Sequence, residues 1–519
     1  MPGPSATSSD PDAEVQALVA ASRRRRLTVD EAGRLASVAL DCMREEEAIP
    51  ALRSLIERGP AEPILHHWLA LLYRATGEHE QALRVLDRGV GLAPGDAGIA
   101  HLQARVAWEA GLPAVDLFGR ALSLAPTSSD ILLGRLSARL AMGETDRALA
   151  EMETLLAQHP GWYAGHEATV QLRWMMGDRE GFTRSIVQAL SAAPRDATLW
   201  LLLLRSLMHA RMFEPLLAAS VRAGAAMGAD VRLSMLEAAA ESELGEVERP
   251  DRLFDSIENQ GDPMGALHHV RHLLRTARPD RAAARAEPFT DGPGADHLWP
   301  YLALAWRLLD DARYQWLLGD PGLIGVYDIS DACGDLTALA DRLRGLHRAT
   351  HQHLDQSVRG GTQTDGPLFC MIDPAIRRLR RAVERQVAAH VRHLPPPDPR
   401  HPVLRHRRDR PVRFSGSWSV RLSGSGHHAH HVHPAGWFSS AFYVSLPAPA
   451  EAGPPPSGWL ALGAPPQELG LEFEPIARIE PRPGRLVLFP SIMWHGTEPF
   501  GAGERLTAAF DVARPAGLP

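Results

Sequence analysis

The chain has 519 residues, a formal net charge of −7 and 45% hydrophobic residues. This length exceeds what one hydrophobic core normally serves, so we expect two or three domains. The acidic balance gives a nucleic-acid partner no bulk electrostatic support. The three isolated cysteines form neither a CxxC pair nor a disulfide framework, and this favours a reducing, cytoplasmic setting.

The N-terminal segment MPGPSATSSDPDAE is polar and rich in proline and serine. This composition is typical of a disordered tail and not of a signal peptide, so residues 1–27 are assigned to a disordered tail. No apolar run reaches the roughly 18 residues that a membrane-spanning helix needs. We therefore expect no membrane partner.

Residues 28–314 have the composition of helices, and they repeat with a period near 34. Four glycines mark the period at spacings of 34, 32 and 34, namely Gly77, Gly111, Gly143 and Gly177. Four prolines follow at spacings of 32, 34 and 34, namely Pro94, Pro126, Pro160 and Pro194. Because glycine ends a helix where φ must be positive and proline cannot continue one, the pattern predicts helix–turn–helix repeats.

The stretch WLALLYRATGEHEQALRVLDRGVGLAP, residues 68–94, resembles a tetratricopeptide repeat. The resemblance covers residues 45–195 well and fades on both sides, although Arg211 and Gly245 continue the glycine position. A repeat array of this kind implies a concave surface that holds a peptide or a protein. The alternative is a scaffold that only makes the chain rigid.

Residues 315–519 have a different composition. GLIGVYDIS predicts a first strand, and after Pro411 short runs rich in β-branched and aromatic residues alternate with glycine and proline. Several closely spaced strands without helices between them predict a sandwich or barrel. The fold class is therefore α+β and multidomain, with an all-α solenoid before a β domain.

Five histidines fall within seven positions in GHHAHHVHP. His431 and His433 lie two apart at the entrance to a predicted strand, which places both side chains on one face. His428 and His430 would share the opposite face or lie in the loop. A histidine run can also bind metal adventitiously, but this one is internal and a predicted strand follows it.

A metal needs a third ligand, and His495 in FPSIMWHG is the best candidate because it follows another predicted strand. Arg505 comes ten residues later, and its planar guanidinium suits bidentate binding of a carboxylate. The layout suggests a non-haem iron site, in which three facial ligands leave positions for a keto acid and O₂.

The segments SWSVRL, HHVHPAGWFSSAFYVSLP, GRLVLFPSIMWHGTEPF and GERLTAAFDVA together resemble the 2-oxoglutarate–Fe(II) oxygenases, in a prolyl-hydroxylase-like group that is often fused to tetratricopeptide repeats. The resemblance covers residues 315–519 and is most specific over 414–513. It implies a double-stranded β-helix, or jelly roll, with Fe(II) and 2-oxoglutarate as cofactors. By position it assigns the metal to His431, His433 and His495 and the 2-oxoglutarate carboxylate to Arg505.

Several assignments stay open at this point. The wider superfamily usually has a carboxylate where this chain has His433, so a carboxylate such as Asp511 or Glu472 is an alternative third ligand. Tyr443 is either a core residue or a hydrogen-bond donor to the keto acid. SVRGGTQTDGPLF, residues 357–369, also resembles the fused oxygenases, and its Arg359, Gly360 and Gly361 form either a tight turn or the mouth of the active site.

The sequence thus predicts a dioxygenase that hydroxylates a peptide or protein side chain presented by the repeat array. It assigns no catalytic residue beyond the ligands of the metal and the cosubstrate. A cupin-like zinc hydrolase or isomerase is an alternative, because three histidines and an open position suit a zinc-activated water. A non-enzymatic interaction protein with a degenerate barrel is a third, and the presence of all four ligand side chains counts against it.

Overall fold

The computed structural model describes residues 10–58, 62–257, 262–349, 351–354 and 356–517. A helical array is followed by a region of antiparallel β-sheet, which confirms the predicted fold class. No helix among these residues has both the length and the apolarity to cross a bilayer.

The array consists of paired antiparallel helices, each with an apolar face turned to its neighbours. In chain order the helices are α1 (Pro11–Arg24), α2 (Val29–Asp41), α3 (Glu45–Arg58), α4 (Pro63–Ala75), α5 (His79–Leu92), α6 (Ala97–Glu109), α7 (Val115–Leu124), α8 (Ser129–Ala141), α9 (Thr145–Gln158), α10 (Tyr163–Met175), α11 (Arg184–Ala192), α12 (Ala197–His209), α13 (Phe213–Met227), α14 (Val231–Glu243), α15 (Glu248–Ile257), α16 (Pro263–Arg275), α17 (Pro279–Ala286), α18 (Ala295–Leu308) and α19 (Arg313–Leu318).

The turn inside each repeat needs a positive φ, as the glycine spacing predicts. The four marker glycines have φ between 75° and 86°, and Gly245 has 96°. Four residues that are not glycine continue the series with φ of 56°, 56°, 55° and 51°, namely Met43, Arg211, Ala277 and Asp310. The repeated turn therefore runs from residue 43 to residue 310, well beyond the segment that resembles tetratricopeptide repeats. The glycine signal is lost at those positions because other residues can adopt this conformation at a modest cost in free energy.

The N-terminal tail corrects one prediction. Residues 1–9 lie outside the described residues, but α1 forms within the segment that we expected to be disordered. Its start is specified locally, since Asp10 caps the helix and Pro11 occupies its first turn. It is held in place because Val15 is fully buried and Asp12 pairs with Arg407 at 3.0 Å, a contact with the far end of the chain.

The β region contains two antiparallel sheets. Its strands are β1 (Gly325–Asp328), β2 (Val358–Gln363), β3 (Phe414–His428), β4 (Phe438–Ser445), β5 (Leu460–Leu462), β6 (Ala477–Ile479), β7 (Arg485–Pro490), β8 (His495–Thr497) and β9 (Glu504–Val512). The larger sheet has the order β1-β7-β4-β9-β3-β2, and the smaller has the order β6-β5-β8. The strand runs predicted from the sequence all correspond to strands here, and the arrangement is consistent with the β-fold of a 2-oxoglutarate oxygenase.

Helices α20 (Ser330–Cys333), α21 (Leu336–Arg344), α22 (Pro374–Arg392) and α23 (Pro449–Ala452) complete the β region. One face of α22 belongs to the core of the β region, since Leu379 and Val383 are fully buried in it and the His390 ring lies 5.0 Å from that of Phe438 in β4. The same hydrophobic core continues into α16, α17, α18 and α19. Because α19 crosses residue 315 inside this core, the division at that residue stays a prediction.

The array contacts the β region at several helix–helix turns and through Arg307 of α18. Arg380 of α22 donates hydrogen bonds to the carbonyls of Thr76 and Gly77. Further along, Ile372 N donates to Ala110 O at 3.1 Å, and Arg307 donates to Gly463 O at 2.9 Å. Because these hydrogen bonds join the two regions at several points, the array and the β region stabilise each other.

Candidate metal centre

Backbone pairing brings the two distant histidine segments together. His431 and His495 form an isolated antiparallel bridge, with N–H···O distances of 2.9 and 3.0 Å in the two directions. Two residues on, His433 N donates to Ser491 O at 2.9 Å. As a result one ligand atom from each of the three imidazoles lies within 4.8 Å of the others, so the group could hold a metal ion.

The other ring nitrogen of each histidine is occupied by an oxygen acceptor. The Nδ1 atom of His431 lies 2.8 Å from Ala429 O, and that of His495 lies 3.0 Å from Met493 O. The Nδ1 atom of His433 lies 2.7 Å from Asp511 Oδ2. An acceptor at Nδ1 fixes the proton there and directs the lone pair of Nε2 to a metal, which at His431 would replace the contact between Nε2 and Ser357 Oγ. The residues therefore fit a bound divalent ion.

The electrostatics of the site also suit metal ligands. Burial, and then the neighbouring histidines, lower the pKa of His431 and of His495 well below 6.5. Both imidazoles are therefore neutral at physiological pH. Neutral imidazole is the form that binds a metal, so no proton has to be displaced from these two rings.

The sequence left Asp511 open as an alternative metal ligand, but its carboxylate accepts hydrogen bonds from other side chains instead. Its Oδ2 accepts from His433 Nδ1, and its Oδ1 accepts from Ser439 Oγ at 2.7 Å. Neither Asp511 nor Glu472 belongs to the group of converging ligand atoms found among the described residues. A carboxylate placed behind a histidine in this way orients the ring and raises its basicity.

Two residues of the pocket were not predicted from the sequence. Ser357 Oγ lies 3.1 Å from His431 Nε2 and 3.1 Å from His428 Nδ1. His428 was expected to face away, yet its ring stacks on that of His431 with a centroid distance of 5.9 Å. The reason is local: β3 ends at His428 and the chain turns before His431, so the period of two is broken. The only signal for Ser357 was its place at the start of SVRGGTQTDGPLF.

Arg505, on β9, is a buried cation with no carboxylate partner among the described residues. Its side chain is 3% exposed, Nη1 donates to Gly458 O at 2.8 Å, and Nε has no hydrogen-bond partner. Burial lowers the pKa of this guanidinium. A buried charge without a counter-ion is costly, so the site favours an anionic ligand.

Tyr443, on β4, lies directly beside this arginine. The guanidinium carbon is 5.0 Å from the centre of the tyrosine ring, and the tyrosine side chain is fully buried. Its hydroxyl has no hydrogen-bond partner among the described residues. Two unsatisfied buried donors next to each other match the needs of a carboxylate, which accepts several hydrogen bonds.

The lining of the pocket around these groups is partly aromatic. Trp418 and Phe489 line it, and the Trp418 ring stacks on His433 with centroids 5.6 Å apart. Arg359 does not belong to the described lining, and its Nη1 donates to nearby backbone carbonyls. Gly360 has φ of 68° next to a break in the β2–β3 register, which agrees with the tight-turn interpretation of that segment.

Comparison with known families finds two matches in the chain. Residues 416–511 match the family described as "Putative 2OG-Fe(II) oxygenase". They form a 2OG-Fe(II) oxygenase family domain. Residues 44–106 match the tetratricopeptide repeat family. The oxygenase family implies Fe(II) and 2-oxoglutarate, the histidine triad can hold the metal, and the repeats suggest protein–protein interaction.

Solved structures resemble the chain only weakly. A prolyl-4-hydroxylase from Pseudomonas putida is 16% identical, with 40% of this chain and 96% of that chain covered and a TM-score of 0.26. Yeast Tom70 is 12% identical, with 61% and 67% covered and a TM-score of 0.36. A tetratricopeptide repeat protein from Parabacteroides merdae is 16% identical, with 48% and 94% covered and a TM-score of 0.28. No curated protein matches the chain.

Proposed function

We propose that the chain is a Fe(II)- and 2-oxoglutarate-dependent dioxygenase that hydroxylates a side chain of a peptide or protein. The observation that carries this proposal is the convergence of His431, His433 and His495 in the same pocket as the unpaired guanidinium of Arg505. Bound Fe(II), 2-oxoglutarate and O₂ supply the oxidising chemistry, whereas the protein supplies binding and orientation.

Each side chain has a defined task in this proposal. The three histidines hold Fe(II) through Nε2, and the acceptors at Nδ1 keep the rings from rotating. Arg505 pairs with the distal carboxylate of 2-oxoglutarate, and Tyr443 donates a hydrogen bond to the same group. The dianionic keto acid offsets the positive charge of a metal held by three neutral ligands.

A short segment between the array and the pocket supports a macromolecular substrate. Leu354 is buried in the hydrophobic core of α10–α14, and its backbone N–H donates to Gln171 Oε1 at 3.3 Å. Only three residues later, Ser357 contacts His431. A peptide or protein bound to these repeats would therefore lie near the strand that borders the metal pocket.

The test has two stages. The full chain, supplied anaerobically with Fe(II) and 2-oxoglutarate and then with O₂, should release succinate, at least slowly and without a substrate. The same chain with Fe(II) replaced by an inactive metal should capture a substrate, and the active chain should then add one oxygen to it, as measured by mass spectrometry. Absence of both succinate release and 2-oxoglutarate binding would refute the proposal.

A further inference from the structure

A basic stripe runs along one face of α22. The helix contains six arginines and a single acidic residue, although the whole chain has a net charge of −7. Four of the arginines are exposed, namely Arg378, Arg381, Arg385 and Arg392. Their spacings of three, four and seven residues place them within an arc of about 60° on the helix surface. These four side chains are called the arginine stripe below.

The arginine stripe has no ion-pair partner in the part of the chain that the structure describes. The arginines of α22 that do form ion pairs are Arg377, with Glu80 at 2.9 Å, and Arg380, with Glu384 at 2.7 Å. Neither belongs to the stripe. Four guanidinium groups on one face repel one another, so a ligand that carries several negative charges would relieve this repulsion.

The stripe borders a cleft of about 510 Å³ between α22 and the first turns of the array, and Arg381 and Arg385 line it. Three of the four acidic residues in the lining already pair with other arginines, namely Glu46, Glu80 and Glu384. The fourth, Glu78, is exposed and forms no ion pair among the described residues. The cleft therefore keeps an excess of positive charge.

Apolar side chains lie beside these charges. Ile49, Pro411 and Val412 line the same cleft. The combination suits a peptide, which can alternate carboxylates with apolar side chains. A nucleic acid fits less well, because the chain is negative overall and the one phenylalanine of the described lining, Phe369, is buried and offers no platform on which a base could stack.

We propose that the arginine stripe and the adjoining cleft bind an acidic peptide segment of a partner protein. The first and last arginines are 14 positions apart, or about 21 Å along the helix, which matches about six residues of an extended chain. Alternate residues of an extended chain point to the same side, so their carboxylates can reach successive guanidinium groups. This inference goes beyond the proposed hydroxylation, since no residue of the stripe lines the metal pocket.

The experiment measures binding to the full chain by fluorescence anisotropy. The probe is a fluorescein-labelled peptide of about seven residues in which glutamate and leucine alternate. We expect saturable binding at low salt and weaker binding when the salt concentration rises about fourfold, because exposed charges are screened. The same peptide with glutamine in place of glutamate should bind at least about tenfold more weakly. No iron or 2-oxoglutarate is added, so the result is independent of the proposed dioxygenase activity.

Arg381→Glu combined with Arg385→Glu should weaken peptide binding at least about tenfold, because two attractive charges become repulsive. Arg84→Glu combined with Arg88→Glu is the matched control and changes the net charge by the same amount. Arg84 and Arg88 are also exposed, lie four residues apart on α5 and form no ion pair among the described residues. The control should bind the peptide within about twofold of the wild type. If charge reversal prevents folding, the corresponding substitutions by glutamine give the same comparison.

Three results would overturn the proposal. The first is no binding to the wild type at low salt, or equal binding of the glutamate and glutamine peptides. The second is an equal loss in the two double variants, since net charge alone would then account for binding. The third is tighter binding of a single-stranded DNA of about eight nucleotides than of the acidic peptide, which would assign the stripe to a nucleic acid.

Discussion

An arginine of the array and an arginine of the metal pocket differ in whether a carboxylate compensates the charge. In the array, Arg271 donates to Glu243 Oε1 at 2.6 Å and to the Tyr301 hydroxyl at 2.8 Å. Burial opposes its charge, but Tyr301 and Glu243 prevail and raise its pKa. In the pocket, Arg505 is more deeply buried than Arg271, a backbone carbonyl is its only acceptor among the described residues, and burial lowers its pKa.

The same contrast holds for histidines. In the array, His272 uses both ring nitrogens, with Nδ1 2.8 Å from Ser242 Oγ and Nε2 3.0 Å from Asp251 Oδ1. In the pocket, three histidines use Nδ1 in this way and turn Nε2 towards one another. A structural cluster satisfies its own polar groups, whereas a ligand site leaves several of them for the ligand.

The largest expected effect comes from removing a proposed metal ligand. His495→Ala should lower the affinity for Fe(II), or for Co(II) as an air-stable probe, by at least about 100-fold. Anaerobic metal titration measures this directly, and succinate release should vanish. His430→Ala is the control, because His430 belongs to the same histidine run but contacts Pro465 O and lies outside the triad. Equal losses in the two variants would contradict the assignment.

Substitutions of Arg505 and Arg271 should change two different quantities, ligand affinity and stability. Arg505→Ala should weaken 2-oxoglutarate binding by about 100-fold, the worth of a charge-assisted hydrogen-bonded pair, and should leave metal affinity nearly unchanged. Arg271→Ala should instead lower the free energy of unfolding by about 1.5–3 kcal/mol, because Glu243 loses one charge-assisted hydrogen bond but keeps its pairing with Arg275. Calorimetric titration and denaturant unfolding measure the two quantities. A large loss of stability in Arg505→Ala without a loss of 2-oxoglutarate affinity would make Arg505 a structural residue.

Local patterns predicted most of the fold. The glycine and proline spacing gave the repeats because a helix–turn–helix unit is specified by residues close in sequence, and the strands followed from β-branched and aromatic runs. The helix α1 was missed because its anchors are Val15 in the core and the pairing of Asp12 with Arg407, nearly 400 residues away. No local composition records such a contact.

The site was predicted less completely than the fold. The metal-ligand candidates and Arg505 were named because residue type and spacing restrict them strongly. Ser357 and the orienting role of Asp511 were missed, because each depends on a contact made across more than 70 residues of sequence. Whether a buried polar group is satisfied is a property of three-dimensional packing, and the sequence does not show it.

A smaller effect on metal affinity is expected from Asp511, which contacts the proposed ligand His433. Asp511→Asn should weaken metal binding by about 10-fold to 100-fold, because an amide orients His433 but no longer adds negative charge behind the ring. Metal titration measures the change. Ser440→Ala is the control, because Ser440 also lines the pocket but donates to a backbone carbonyl. Unchanged metal affinity in Asp511→Asn would mean that the carboxylate contributes only to packing.

The smallest expected effect is on stability, and it tests whether the repeated turn continues at residue 277. Ala277 is exposed and has φ of 55° at the repeated turn, so Ala277→Gly should raise the free energy of unfolding by about 1 kcal/mol as the strained conformation is relieved. Ala284→Gly in α17 is the matched control, because this exposed residue lies inside a helix and the same change should destabilise it by about 1 kcal/mol. Denaturant unfolding of the two variants should therefore shift in opposite directions. A shift in the same direction would mean that the turn at residue 277 has no strain to lose.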